Sequence, residues 1–235
     1  VKNYREIGKH EIGLVVNIEP KYPASDSKED IAATKRAAAY MNHQYLDPVF
    51  KGKYPDEMAE IFEDAWPKPW PKEDFELTSQ KVDFIGINYY TRSVTAHEPN
   101  NWHLKAKGVR VPHKTYTETG WEVFEDGLYD TLKWFKDNYG DTPLYITENG
   151  SAFFDPPKPV NGKIHDPLRV DYLQRHLKAI HRAISDGIDI RGYMTWSLLD
   201  NLEWSLGYSK RFGIIHVDYE TCNRTIKTSG RYYSK

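Results

Sequence analysis

The stretch Leu144-Tyr145-Ile146-Thr147-Glu148-Asn149-Gly150 puts a carboxylate at the end of an apolar run of strand length, with a chain-reversing Asn-Gly directly behind it. Burying an unpaired carboxylate is costly, so a strand has no structural use for Glu at its last position. At the carboxyl-terminal rim of a parallel α/β sheet, that is where a catalytic group stands. A Glu that merely caps the turn is the alternative, and the other strand ends bear on the choice. Asn17 and Glu19 close the first apolar run and share a face, because side chains alternate along a strand. Asn88-Tyr89-Tyr90 closes the second, and Trp196 closes the last, with Asp200, Asn201, Glu203 and Trp204 just beyond. Polar ends on every strand of one rim point to a shared polar pocket walled by aromatics. Aromatic content of 14% fits this reading, since rings with polar tips bury a face while offering a hydrogen bond. Sugar sites need that mixture, and so do many ordinary cores.

Such groups must be positioned by alternating strands and helices. Residues 13–18 read as a buried strand. Ser27, with Asp30 three residues on, opens a helix in which Ile31, Ala38, Met41 and Tyr45 recur at helical spacing. A shorter helix follows Pro55. Residues 82–88 form the second strand. Leu128, Leu132, Phe135 and Tyr139 mark the helix that feeds the strand ending at Glu148. Pro167 starts a long helix with Val170, Leu173, Leu177, Ile180 and Ile184 on one face and Gly187 as its stop. Residues 190–196 are the fourth strand. Serial βα units imply a parallel sheet with right-handed crossovers, covered by helices. The long polar segments 91–120, 149–165 and 197–212 all follow strands, which favours a barrel-type active face over an open sheet. No linker or repeat divides the chain.

Composition removes several function classes. A net charge of −2 argues against a nucleic-acid partner. No apolar stretch approaches the length that spans a bilayer, so no membrane partner is expected. The single cysteine, Cys222, excludes an internal disulfide framework and a cysteine metal site. His176 and His181 lie five apart on one helix, show no metal-type pairing, and are expected to face solvent. Asp200 and Asn201 read as turn and loop braces. Asn223-Arg224-Thr225 fits a glycosylation acceptor, a tripeptide common by chance. The start Val1-Lys2-Asn3-Tyr4-Arg5 has no Met and reads as mid-helix, so the true N-terminus is expected to lie upstream. One free cysteine and no visible leader give a cytoplasmic expectation.

Together, Ile146-Thr147-Glu148-Asn149-Gly150, Gly86-Ile87-Asn88-Tyr89-Tyr90-Thr91 and Thr195-Trp196-Ser197-Leu198-Leu199-Asp200-Asn201-Leu202-Glu203-Trp204 resemble the signature segments of glycoside hydrolase family 1. Tyr22-Pro23-Ala24-Ser25, Gly120-Trp121-Glu122-Val123 and Arg211-Phe212-Gly213-Ile214 agree in order and spacing, so the resemblance covers essentially the whole chain. It implies a (β/α)8 TIM barrel, of which residues 1–235 would be the C-terminal half, roughly the last four βα units, with the last helix beyond the chain. It implies Glu148 as the nucleophile of a retaining, double-displacement mechanism, and Tyr90 as the tyrosine that holds it. Asn88 falls in the same shell. Glu203 and Trp204 match the pair gripping the outer hydroxyls of the sugar, Trp196 the aromatic floor, Phe212 a lining ring of the pocket, and Trp121 a position nearer the leaving group. No cofactor or metal is implied. Members acting on 6-phosphorylated sugars carry a Ser and a basic-aromatic pair where Glu203-Trp204 stands, and a carboxylate repels a phosphate. Non-phosphorylated β-glucosides or β-galactosides, as β-linked oligosaccharides or aryl and alkyl glucosides, are the implied substrates.

One piece of the machinery is absent. A retaining glycosidase needs a second carboxylate about 5–5.5 Å from the first. The family takes it from an Asn-Glu-Pro, and this chain has none; Asn17-Ile18-Glu19-Pro20 is broken by the Ile and matches the following strand, so Glu19 reads as cleft lining more than as an acid. The acid/base is therefore expected in the missing N-terminal half, and the open sheet is expected to be covered by that half or by self-association. The chain alone is then inactive or nearly so. A non-catalytic carbohydrate-binding or scaffold fragment, and a transglycosidase, are the other readings.

Overall fold

Apolar runs and amphipathic stretches alternate along the chain, and each strand of the main sheet hands over to helical structure. The computed structural model describes residues 1–67 and 69–235. In chain order the elements are α1 (Lys2–Ile7), β1 (Gly13–Asn17), β2 (Lys21–Pro23), α2 (Lys28–Ala38), α3 (Gln44–Phe50), α4 (Glu57–Phe62), α5 (Lys72–Thr78) and β3 (Phe84–Asn88). They continue with β4 (Ser93–His97), β5 (Ala106–Val109), α6 (Glu125–Tyr139), β6 (Leu144–Asn149), α7 (Pro167–Ser185), β7 (Ile190–Thr195), β8 (Ile215–Val217), β9 (Arg224–Ile226) and α8 (Thr228–Tyr233). The main sheet is parallel throughout, in the order β1-β3-β6-β7. Strands adjacent in space and consecutive among the βα units make this one half of a (β/α)8 arrangement.

The two faces of the sheet differ. On one, Ile85, Ile87, Leu144 and Ile146 are fully buried against Leu128, Leu132 and Phe135 of α6 and Ile180 and Ala183 of α7. On the other, Val15, Gly86 and Thr147 meet, so closely that a Cβ on Gly86 would lie 2.6 Å from the Thr147 side chain. This second face is open: Val15 is 50% and Met194 46% exposed. The strand expected to be buried at residues 13–18 is in fact an edge strand, with only Val16 buried among the residues of β1. It has a sheet neighbour on one side alone.

Ser27 caps α2 as anticipated, its hydroxyl accepting the Asp30 N–H at 3.1 Å. The apolar stripe read along this helix is not its buried face, however. Ile31 and Tyr45 are exposed, while Ala33, Ala37 and Leu46 are buried. Small residues let α2 lie close to β4, and a π-turn at Ala39–His43 resets the angular phase before α3. The polar segment after β3 supplies β4 and β5, which with β2 form a small three-stranded sheet over the rim. Residues near the end of the sequence form a short helix, α8, packed on α7. His176 corrects another expectation. It is fully buried, its ring stacked 3.8 Å from that of Tyr172 and its Nδ1 donating to the Tyr172 carbonyl at 2.8 Å. His181, one turn on, is exposed.

Candidate active site

Strand parity alone would send Glu148 the wrong way. Ile146 faces the helices and Thr147 the open side, so strict alternation would point Glu148 back toward the helices. A register shift prevents this. Ile87 pairs with Ile146, but the next residue, Asn88, pairs with Glu148. The irregularity recurs against β7, where Ile146 pairs with Tyr193 and Asn149 with Thr195. One extra residue in β6 re-aims its end, as a bulge does, and Glu148 enters the cleft beside Asn88.

The bulge leaves Asn149 facing the helices, where it is fully buried and used completely. Its amide donates to the Tyr89 carbonyl at 2.8 Å and to the Tyr172 hydroxyl at 2.9 Å, and its side-chain oxygen accepts from Tyr193 at 2.9 Å. Gly150 then passes under β7: a Cβ there would lie 1.7 Å from the Trp196 carbonyl oxygen, which explains the glycine.

The cleft has a volume of about 530 Å³, within the range of small-molecule sites. Its wall brings together Asn88, Tyr90, Trp121, Glu148, Trp196, Glu203 and Trp204, all singled out in the sequence. Phe212 is not part of that wall. It is 2% exposed and sits behind, its ring 6.2 Å from Tyr90 and 6.0 Å from Trp121, so it supports the lining instead of forming it. Asn17, Ile18, Glu19, Met41 and Thr91 complete the wall. Of these, Ile18, Met41 and Thr91 had no polar strand-end signal to mark them as site residues. Glu19 is ion-paired to Lys21.

Within the cleft, the Tyr90 hydroxyl donates a short hydrogen bond to Glu148 Oε2. Burial pushes the Tyr90 phenol far above its ordinary value, and the bonded carboxylate pushes the same way, so Tyr90 stays a donor. Asn88 accepts from Thr147 at 2.6 Å, which ties β3 to β6 beside the carboxylate. Across the cleft, burial raises the Glu203 carboxyl; the Trp196 indole opposes this and the charge of Glu148 adds to it. Glu203 Oε2 is buried with no partner among the described residues, which leaves it an unused hydrogen-bond acceptor. Trp204 is 87% exposed at φ +44°, a backbone state uncommon for a side chain of its size. No cluster of His, Cys, Asp or Glu among the described residues is arranged to hold a metal.

A buried ionic cluster fastens the loops that carry these groups. Lys227 bridges Asp155, at 2.5 Å, and Asp200, at 2.7 Å. Arg169 spans Asp155 and Asp166, and Arg211 reaches Asp200 at 2.6 Å. Three cations thus face three carboxylates, and buried charges persist only when paired in this way. Asp155 follows β6 and Asp200 follows β7, so the cluster binds the Glu148 loop to the Glu203 loop. The brace read into Asp200 is this network, while Asn201 donates to Ser197 Oγ and to the Leu199 carbonyl, both at 3.1 Å.

Comparison with known proteins gives the family and the fold. The model of Glycosyl hydrolase family 1 matches residues 1–235. A 1,4-beta-D-glucan glucohydrolase of Thermotoga neapolitana is 42% identical over 236 residues, covering 100% of this chain and 52% of its own length. Beta-glucosidase A of Acetivibrio thermocellus is 39% identical over 238 residues, covering 100% and 53%. A family 1 glycoside hydrolase of Thermotoga maritima, solved with a cyclophellitol-analogue transition-state mimic, superimposes with a TM-score of 0.93 at 40% identity, covering 99% of this chain and 52% of that one. The chain therefore spans about half the length of the curated relatives it matches.

Proposed function

The chain belongs to glycosyl hydrolase family 1, and from that premise we propose that it supplies the nucleophile side of a retaining β-glycosidase. Glu148 attacks the anomeric carbon as the bond to the leaving oxygen breaks, giving a glycosyl ester on its carboxylate. A second carboxyl, assigned to the complementary half of the barrel, protonates the leaving oxygen and then takes a proton from the water that hydrolyses the ester. Tyr90 holds Glu148 in its aimed position by the hydrogen bond to Oε2. Trp196 offers a ring face to the sugar, Glu203 and Trp204 take its outer hydroxyls, and Trp121 stands toward the leaving group. The observation that carries this reading is the Tyr90–Glu148 hydrogen bond, placed in a cleft whose opposite wall holds an unpartnered Glu203 oxygen. Binding alone has no use for an aimed carboxylate. That Glu203 stands in the cleft, whose lining among the described residues includes no Lys or Arg, supports a non-phosphorylated β-glucoside or β-galactoside as substrate.

The test is an assay of the chain with an aryl β-glucoside and with a natural disaccharide, with and without the complementary half barrel. Turnover of the disaccharide is expected only in the reconstituted protein and is expected to vanish in Glu148→Gln. Disaccharide turnover by the chain alone would show that no acid from outside it is needed.

A further inference from the structure

The cleft does not end at Trp121. A second cavity of about 240 Å³ shares Glu19, Thr91 and Trp121 with the first and runs outward over β4 and β5 to Arg110 and Tyr116. Its charges are not equivalent. Arg92 is neutralised by two parallel bonds to Glu122, each 3.0 Å, and its guanidinium lies 3.7 Å from the centre of the Phe124 ring. Glu19 is paired with Lys21. Arg110 alone among these has no hydrogen bond or ion pair to any described residue. Its guanidinium rests 3.8 Å over the Tyr116 ring, and that ring is itself fixed: Tyr116 accepts from the Val111 N–H at 2.8 Å and donates to the Val111 carbonyl at 2.9 Å. A stacked guanidinium keeps a flat, oriented fork of donors suited to a carboxylate. The floor beside it is backbone at Gly108 and Gly120.

We propose that this outer cavity is a leaving-group site selective for a carboxylate, with Arg110 as its counter-ion. The inference rests on the glycosidase reading above and deepens it by naming the chemical class of the leaving group. The charges order the whole cleft. Its inner end holds Glu148 and Glu203, which repel an anion; its outer end holds Arg110, the one unengaged cation among the described residues of the cavity. A glycoside with a neutral sugar and an acidic leaving group is aligned by that gradient, sugar inward and carboxylate outward. A cavity of this size admits one ring, which can be an aromatic acid or an acidic sugar.

Isothermal titration of the protein reconstituted with its complementary half, using non-hydrolysable S-linked β-glucosides, separates the outcomes. Two matched pairs serve: 4-carboxyphenyl against 4-carbamoylphenyl, and a glucuronate against a glucose as the second ring. The carboxylated member is expected to bind about fivefold more tightly at low salt, as an ion pair exposed to water allows. Arg110→Gln is expected to remove that preference while leaving the neutral member unchanged. A preference in the phenyl pair alone assigns an aromatic acid, and one in the sugar pair alone assigns an acidic sugar. Equal affinities within both pairs, or a preference that survives Arg110→Gln, overturns the proposal. Failure of the neutral ligands to bind overturns the sugar-pocket reading beneath it.

Discussion

Glu148 and Tyr90 are joined by a short hydrogen bond, its donor a phenol that burial holds far from ionisation. A hydrogen bond to a charged group contributes about 1.5–3 kcal/mol. Tyr90→Phe in the reconstituted protein is accordingly expected to lower kcat by about tenfold to a hundredfold with KM little changed; an unaltered kcat would remove Tyr90 from its role. His176 gives a residue-scale test of stability. Burial lowers its imidazole from 6.5 to about 4, so between these values the unfolded chain binds the extra proton. Its stabilising contribution is complete above pH 6.5 and is lost as the pH falls toward 4. From pH 7 to pH 5 the loss is about 2 kcal/mol. Urea midpoints at the two pH values are expected to show a wild-type decline steeper by that amount than in His176→Phe; parallel declines would refute it. The sequence marked Glu148 because a carboxylate at a strand end has few structural explanations. It did not mark the burial of His176, because a histidine at helical spacing reads alike on either face. Phe212 was placed in the lining by the family resemblance, which carries over the position of a ring but not whether it stands in the wall or behind it.

At the level of elements, the long amphipathic helices and the strand ends were legible because their periodicities span many residues. The β6 bulge was not. It depends on how Ile146–Asn149 pairs with two neighbouring strands, and no local pattern encodes that pairing. Nor was the face of α2, since a π-turn after it resets the phase and its contact with β4 selects alanines over the larger Ile31. The ionic cluster escaped as well, because Asp155, Arg169 and Lys227 lie far apart in sequence and look individually like surface charges. Yet Lys227 is fully buried between Asp155 and Asp200. Lys227→Met deprives both carboxylates of a partner and is expected to lower stability by about 3–5 kcal/mol in chemical denaturation. It is also expected to raise KM, through loosening of the Glu203 loop. A loss below about 1 kcal/mol would show that the cluster is not what fastens the two loops.

For the whole molecule, counting strands and noting the absent Asn-Glu-Pro was enough to read half a barrel, and the open face with Val15 and Met194 agrees. The half that is present holds the carboxylate that would bond to sugar; the half assigned to the rest of the barrel would hold the proton donor. Such a division has a direct chemical consequence. An activated fluoride leaving group needs no protonation, so a 2-deoxy-2-fluoro-β-glucosyl fluoride calls on the nucleophile alone. Incubating the protein, reconstituted with its complementary half, with this reagent and mapping the adduct by peptide mass spectrometry tests the central claim. The expected result is a stable glycosyl ester on Glu148, absent in Glu148→Gln, and still formed when the acid/base carboxyl of the other half is replaced by its amide. An adduct on any other residue, or saturable binding with no adduct, would refute the assignment of Glu148 as the nucleophile.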